Sequence, residues 1–166
     1  MFFDLQNQEV DKKLFKRFDT IIIGAGAAGI TLAKTLESFG KTVALIEGGG
    51  VEYTEESQNL YRGDLKGDPY FDLAITRLRY FGGSTNHWGG WCRPFEKIDF
   101  DRNYLGNLYK WPIKFEEIDK YRNEACSILE IESEFEFNYK TNDTIKPIKF
   151  QFSPPVVASR LKAPTK

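Results

Sequence analysis

The sequence is poor in the side chains that build metal sites and disulfide frameworks. It has one histidine, His87, two cysteines, Cys92 and Cys126, and one methionine among 166 residues. A zinc site of the usual cysteine and histidine kind lacks ligands, so we expect no metal. Two cysteines are too few for a disulfide framework, and both are predicted to be buried thiols in a reducing compartment. A serine–histidine or cysteine–histidine catalytic site would depend on His87 alone.

An excess of one charge and long apolar runs are also missing. The formal net charge is −1, with 23 basic and 24 acidic residues, so there is no electrostatic attraction to nucleic acid or to an anionic membrane. No apolar run reaches the roughly 18 residues that a transmembrane helix needs. The N-terminus "MFFDLQNQEVDKK" lacks the pattern of a signal peptide. We therefore expect a cytoplasmic protein with no nucleic-acid partner and no membrane span.

The first feature that is present is a glycine run between two apolar strands. The β-branched segment Thr20–Ile23 predicts a strand buried on both faces. The run Gly24–Gly29 then has the spacing G-x-G-x-x-G, and Gly40 lies where a glycine ends a helix. A second strand is predicted over Lys41–Ile46. Between the two strands the spacing predicts a helix with one shared apolar face, made of Ala28, Leu32, Leu36 and Phe39.

Each residue type in this run has a physical reason when the ligand is a dinucleotide. Gly24 permits a tight turn, Gly26 lets a pyrophosphate approach the backbone, and Gly29 lets the helix pack closely on the sheet. The helix start offers free N–H groups and a positive dipole end. Glu47, at the end of the second strand, can accept hydrogen bonds from a ribose diol. Its charge disfavours NADP, so the motif leaves NAD or FAD.

Two glycine-containing stretches together resemble the glucose–methanol–choline (GMC) family of flavin oxidoreductases. "DTIIIGAGAAGITLAKTLESFGKTVALIEGGG" is similar to the opening of that family, and "RYFGGSTNHWGG" is similar to its second glycine block. The later "KWPIKFEEIDKYRNEA" resembles a segment of bacterial sugar-oxidising members. The resemblance covers Phe18 to about Leu129. In the second block Trp88 stands where the commonest form of the family has an asparagine, and His87 directly precedes it. This His-Trp pair looks like the pyranose-oxidase and sugar-dehydrogenase branches.

The resemblance implies a fold and a reaction. The fold is α/β, with an incomplete Rossmann-like FAD-binding domain over 18–110, after an N-terminal extension over 1–17. The start of an α+β substrate domain follows over 111–166. The whole enzyme would oxidise CH–OH groups of a sugar or polyol-like alcohol by hydride transfer to flavin, with oxygen, a quinone or a protein as the acceptor. The family's catalytic base is expected beyond Lys166, so this chain alone is expected to show little turnover.

The resemblance also implies which residues bind FAD. Glycines of the second block would let the main chain lie close to a flat ring, and its polar side chains would hydrogen-bond to the flavin or to phosphate. His87 would face the ring, and covalent and non-covalent attachment through it are both open. One of Arg77 and Arg79 is a further candidate for phosphate contact. The predicted cofactor-binding residues are Gly24, Gly26, Ala27, Ala28, Gly29, Glu47, Gly82, Gly83, Ser84, Asn86, His87 and Trp88.

Two alternatives stay open from the sequence. A nicotinamide-dependent dehydrogenase would use the same G-x-G-x-x-G fingerprint, although it leaves the second block unexplained. A truncated, non-catalytic module that binds a nucleotide is the other alternative.

The second half of the chain predicts one helix and two strands. A helix is expected over Phe115–Glu130, with Glu116 and Glu117 at its start. The period-two alternation in "EFEFNY" and "IKFQF" predicts half-exposed strands. The apolar stripe expected to be buried on the helix consists of Ile118, Tyr121, Ala125 and Ile128, with Leu129 beside it.

Overall fold

The structure is a computed structural model that describes residues 2–5, 17–87, 89–100, 111–136 and 147–154. The chain divides into two compact units, Met1–Trp88 and Gly89–Lys166. The described residues form a mixed α/β structure. The predicted boundaries at 17 and 110 stay a prediction, and most of the proposed extension over 1–17 lies outside the described residues. None of the helices in the described part is long and apolar enough to cross a membrane.

A β-α-β arrangement organises the first unit. Strand β1 is Thr20–Ile23, helix α1 is Ala27–Ser38 and strand β2 is Val43–Ile46. The two strands are parallel and in register, from Thr20 opposite Val43 to Ile23 opposite Ile46. The predicted first strand and helix are therefore confirmed. The second strand is two residues shorter than predicted, because Lys41 takes part in the end of α1.

Helix α1 is followed by a terminating glycine, Gly40, as the sequence predicted. Gly40 has a φ of 73°, and its N–H donates to the carbonyl of Glu37 at 2.9 Å. The N–H of Lys41 donates to the carbonyl of Leu36 at 3.0 Å. These two bonds form a Schellman motif, which satisfies carbonyls that a helix end leaves without partners.

The prediction that β1 is buried on both faces is wrong for the described structure. Ile22 is 8% exposed, whereas Ile21 and Ile23 are 60% and 85% exposed. Successive strand side chains point to opposite faces, and α1 covers only the face that carries Ile22. No element among the described residues covers the other face.

The predicted apolar face of α1 is also only partly correct. Leu36 is half-buried, but Leu32 and Phe39 are 48% and 75% exposed. Ala28 is exposed as well. The half-buried stripe is rotated by about one position and consists of Gly29, Ile30, Ala33 and Leu36. This rotation follows from Gly29, whose missing side chain sets which side of the helix approaches β1.

A long connection follows β2 and contains two short helices. Helix α2 is Glu55–Asn59, and the Thr54 hydroxyl caps it by accepting from the N–H of Ser57 at 3.2 Å. Helix α3 is Leu73–Thr76, capped by the carboxylate of Asp72.

The second unit contains a small antiparallel sheet. Strand β3, Trp91–Cys92, pairs with β4, Gln151–Phe152. The Trp91 ring lies edge-on to Phe152, with ring centroids 4.8 Å apart. Strand β4 is shorter than the predicted "IKFQF" strand. In "EFEFNY" no strand forms over residues 134–136, and the rest of that segment lies outside the described residues.

The predicted single helix over Phe115–Glu130 is broken. Helix α4, Lys97–Phe100, precedes two helices, α5 over Phe115–Asp119 and α6 over Arg122–Leu129. The carboxylate of Glu117 accepts from the N–H of Lys114 at 2.8 Å, so the acidic start of α5 is confirmed. The break turns the predicted stripe outward: Ile118, Tyr121, Ala125 and Ile128 are exposed, whereas Cys126 is buried and Arg122 and Leu129 are half-buried.

Candidate functional site

The turn between β1 and α1 uses its three glycines in three different ways. Gly24 has a φ of 101°, a backbone conformation that glycine adopts without strain. A Cβ on Gly29 would lie 1.9 Å from the carbonyl oxygen of Gly24, so α1 starts against the turn with no room for a side chain. A Cβ on Gly26 would meet nothing within 4 Å. The backbone at Gly26 therefore faces open space, as close approach of a ligand requires.

Among the described residues, no side chain caps the start of α1. Gly26 is the N-cap residue and has no side chain, and the first turn carries no acidic residue. The first N–H groups of a helix have no acceptor within the helix, and they lie at the positive end of the helix dipole. The N–H groups of Ala28 and Gly29 belong to this turn, so an anion at this end would meet donors that the helix itself does not use.

Glu47 links the loop after β2 to the glycine turn. One carboxylate oxygen, Oε2, accepts from the N–H of Ala25 at 2.7 Å, and Oε1 accepts from the N–H of Gly49 at 3.0 Å. Ala25 is 1% exposed and Glu47 is half-buried. A carboxylate has about four lone-pair positions, so two further hydrogen bonds remain available for ligand hydroxyls. The carboxylate thus fixes the turn, and the predicted ribose contact stays a prediction.

The second glycine block lies directly on the first. The N–H of Gly82 donates to the carbonyl of Ala25 at 2.8 Å, and Gly26 and Gly82 form an isolated parallel bridge. A Cβ on Gly83 would lie 3.4 Å from the Cα of Gly26. Gly82 and Gly83 both have positive φ, 91° and 58°. Two segments that are far apart in the sequence therefore form one backbone surface.

The polar side chains of the second block mainly hold their own turn. Residues Gly83–Asn86 form a 3₁₀ helix. The Ser84 hydroxyl accepts from the N–H of Leu78 at 3.2 Å, and the Thr85 hydroxyl donates to the carbonyl of Gly82 at 2.5 Å. The Asn86 amide donates to the carbonyl of Phe81 at 2.9 Å. These bonds fix the shape of the loop that carries Gly82 and Gly83.

An open cleft of about 550 Å³ lies where the two glycine blocks meet. Its volume is within the range of small-molecule and cofactor sites. Most of its lining is backbone and apolar side chain, with two hydroxyl-bearing residues from the second block. The lining residues are Ile22, Ile23, Gly24, Gly26, Ala27, Ala28, Gly29, Leu32, Gly82, Ser84 and Thr85.

The structure brings most, but not all, of the predicted site residues to this cleft. Glu47 and Gly83 are not among the lining residues, but each contacts the first glycine turn. Asn86 and His87 do not line the cleft, and both are exposed. Trp88 lies outside the described residues. The predicted placement of His87 against a flavin stays a prediction.

A third glycine run was not recognised from the sequence as part of the site. Gly48–Gly50 follows Glu47, and the segment Arg79–Phe81 lies against it. A Cβ on Gly49 would lie 1.9 Å from the carbonyl oxygen of Arg79, and the N–H of Phe81 donates to the carbonyl of Gly50 at 2.9 Å. The signal was three consecutive glycines directly after a strand, a place where the backbone of another segment can approach closely.

Two buried polar residues of α2 support the same region, and sequence reasoning also missed them. Ser57 and Gln58 are 8% and 4% exposed. The Gln58 amide nitrogen donates to the carbonyls of Ala74 and Arg77, at 2.6 and 2.5 Å. Buried polar side chains require hydrogen-bond partners, and here those partners are the backbone leading into the second glycine block.

No cluster of three or more His, Cys, Asp or Glu residues that could hold a metal ion occurs in the described ranges.

Comparisons with protein-family models, with curated protein sequences and with solved structures found no match to this chain.

Proposed function

We propose that this chain is the FAD-binding part of a flavin-dependent oxidoreductase that resembles the GMC family. The observation that carries the proposal is the contact between the two glycine blocks, through the hydrogen bond from Gly82 to Ala25 and the approach of Gly83 to Gly26. The GMC resemblance rests on these same two blocks. Because the two blocks meet at one cleft, a single FAD molecule could contact both of them.

The residues present fit the ADP part of FAD. The uncapped start of α1 offers N–H groups to the pyrophosphate, and the open space at Gly26 leaves room for it. Glu47 has acceptor capacity left for the ribose hydroxyls. Gly82 and Gly83 present a backbone without side chains, along which a flat ring can lie.

When bound, FAD would supply the two-electron acceptor for oxidation of an alcohol carbon. The chain's own residues bind and orient the cofactor, and we assign no catalytic base among them. The choice of a sugar or polyol-like alcohol as the substrate class is supported only by the resemblance of "NHWGG" to sugar-oxidising branches. A contact of His87 with the flavin, with or without a covalent bond, belongs to the same proposal.

A nicotinamide-dependent dehydrogenase is the second candidate, because the first glycine turn, α1 and Glu47 fit the ADP part of NAD equally well. The contact between the blocks favours FAD, because the fingerprint of nicotinamide-dependent dehydrogenases does not include a second glycine block.

The experiment is a set of calorimetric titrations of the purified 166-residue chain with FAD, ADP, NAD and FMN. We expect FAD to bind more tightly than ADP, because the isoalloxazine adds contacts at the second block, and NAD to bind no more tightly than ADP. NAD binding more tightly than FAD would favour the dehydrogenase. A folded chain that binds none of the four would overturn the proposed function.

A further inference from the structure

The structure distinguishes two arginines that are only two residues apart in the sequence. Arg77 is exposed, and its carbonyl accepts from Gln58. Arg79 is half-buried, and its guanidinium Nη1 donates to the Ser57 hydroxyl at 2.9 Å. Of these two arginines, only Arg79 has a guanidinium held by a hydrogen bond to a described residue.

The backbone of Arg79 is held as firmly as its side chain. Its N–H donates to the Gln58 amide oxygen at 3.0 Å, and its carbonyl accepts from the Ser57 hydroxyl at 2.8 Å. Because Ser57 and Gln58 are both buried, the guanidinium starts from a fixed position. A side chain that is already ordered loses less conformational entropy when a ligand binds.

The guanidinium of Arg79 lies on the loop that follows β2. A Cβ on Gly48 would lie 2.6 Å from Nη2 of Arg79 and 3.0 Å from Cζ, so the missing side chain of Gly48 leaves the space that the guanidinium occupies. Gly48 directly follows Glu47. In a β-α-β unit of this kind the ribose of an adenine dinucleotide lies at the end of the second strand, whereas the pyrophosphate lies at the helix start.

The charge of Arg79 is not paired with an acid in the described ranges. Glu47 is the carboxylate next to Gly48, but both of its oxygens accept main-chain N–H groups, and no ion pair within 4.0 Å joins it to Arg79. A guanidinium has five N–H donors on a planar group that also stacks on aromatic rings. Gly48 lies against the guanidinium of Arg79, and the one hydrogen bond that the guanidinium makes to a described residue is to Ser57, so further N–H donors remain for a ligand.

We propose that Arg79 contacts the adenosine half of the dinucleotide, with its guanidinium against the adenine and the ribose that Glu47 also binds. This inference rests on the proposed function, because it takes the cleft to be a dinucleotide site. It goes beyond that function by assigning the adenosine end to a residue outside the glycine fingerprint. It also separates Arg79 from the pyrophosphate contacts at the start of α1.

The first test uses the unmodified chain and phenylglyoxal, which labels arginine side chains. Labelling of Arg77 and Arg79 is measured by peptide mass spectrometry for the free chain and with saturating ADP or inorganic pyrophosphate. We expect ADP to suppress labelling of Arg79 and to leave Arg77 unchanged, and pyrophosphate to protect Arg79 less than ADP does. Equal protection by pyrophosphate would assign Arg79 to the phosphates and overturn the inference.

The second test compares the affinity of ADP for R79K and for the matched control R77K, with circular dichroism to check that both are folded. We expect R79K to bind ADP about tenfold more weakly, because lysine keeps the charge but loses the planar donors, and R77K to bind like the unmodified chain. Unchanged ADP affinity in R79K, or unprotected Arg79 in a chain that binds ADP, would overturn the inference alone. A chain that binds neither ADP nor FAD would instead overturn the proposed function.

Discussion

The carboxylate of Glu47 accepts a hydrogen bond from the main-chain N–H of Ala25 at 2.7 Å. This bond joins the end of β2 to the turn after β1, and its second oxygen holds the N–H of Gly49. The acid therefore has a structural role within the chain itself, in addition to the ribose contact that we propose. The two roles can be separated by experiment, because one changes stability without ligand and the other changes affinity.

Replacing Glu47 by glutamine should therefore affect both quantities. Glutamine has a single acceptor oxygen and places an NH₂ group against one of the two N–H donors, so we expect E47Q to lower the free energy of unfolding by about 1–2 kcal/mol. We also expect weaker FAD binding. Urea unfolding and calorimetry measure the two effects. The control is E52Q, because Glu52 is exposed. Equal stability of E47Q and E52Q would contradict the structural role.

Alanine at Gly29 should mainly lower stability, whereas alanine at Gly26 should mainly lower the affinity for FAD. A Cβ on Gly29 would collide with the Gly24 carbonyl, so we expect G29A to lower the free energy of unfolding by about 1–3 kcal/mol. A Cβ on Gly26 would meet nothing in the protein, so G26A should cost less than about 1 kcal/mol. G26A should instead weaken FAD binding by about tenfold or more, because the methyl group occupies the space proposed for the pyrophosphate.

Urea unfolding of both variants and FAD titration of G26A check this pair. The account would be wrong about Gly26 if G26A bound FAD like the unmodified chain. It would be wrong about the packing of α1 if G29A were as stable as G26A.

Alanine at Gly82 should disturb the meeting point of the two glycine blocks. Gly82 and Gly67 have similar φ values, 91° and 101°, but a Cβ on Gly82 would lie 2.6 Å from the Asn86 amide nitrogen, and a Cβ on Gly67 would meet nothing within 4 Å. Both substitutions should cost about 1–2 kcal/mol for the left-handed backbone. Only G82A should also weaken FAD binding. Equal FAD affinities for G82A and G67A would argue against a role of the second block in binding.

The pairing of Asp19 with Thr42 predicts a pH dependence of stability. Hydrogen bonds from the Thr42 N–H at 2.8 Å and from its hydroxyl at 2.8 Å lower the pKa of the Asp19 carboxyl. A carboxyl whose pKa is lower in the folded chain stabilises that chain above its unfolded pKa of about 3.9. This contribution is lost as the pH falls from there through the lowered folded value.

The measurement is the urea concentration at the midpoint of unfolding. It is determined at a series of pH values from neutral to below the unfolded pKa of the carboxyl. D19N should be less stable than the unmodified chain at neutral pH, and the two midpoints should converge in acid. D64N serves as the control because Asp64 is exposed, and it should follow the unmodified chain. A constant difference between D19N and the unmodified chain at every pH would contradict the assignment.

Local features of the fold could be predicted from the sequence because neighbouring residues determine them. Gly24 and Gly40 adopt the positive φ that a turn and a helix end require, and the β-branched run at Thr20–Ile23 forms a strand. The close start of α1 against the turn followed from Gly29. Each of these depends on residues within a few positions of one another.

Features that depend on distant partners could not be predicted in the same way. The burial of Gln58 depends on carbonyls of Ala74 and Arg77, and no sequence pattern connects them. The break between α5 and α6 exposes a stripe that periodicity alone marks as core. The same limit applies to the site. The spacing of the first block predicted the glycine turn, but no sequence pattern predicted that Arg79 lies against Gly48.

The most direct test of the central claim is a titration of the ¹⁵N-labelled chain with FAD, followed by NMR of the backbone amides. The account predicts chemical-shift changes at Ala27–Gly29 in the first block and at Gly82–Thr85 in the second, with saturation at the same FAD concentration. Shifts confined to the first block would indicate a nucleotide site without a flavin contact. A folded chain with no shifts in either block would contradict the claim that the two blocks form one FAD-binding cleft.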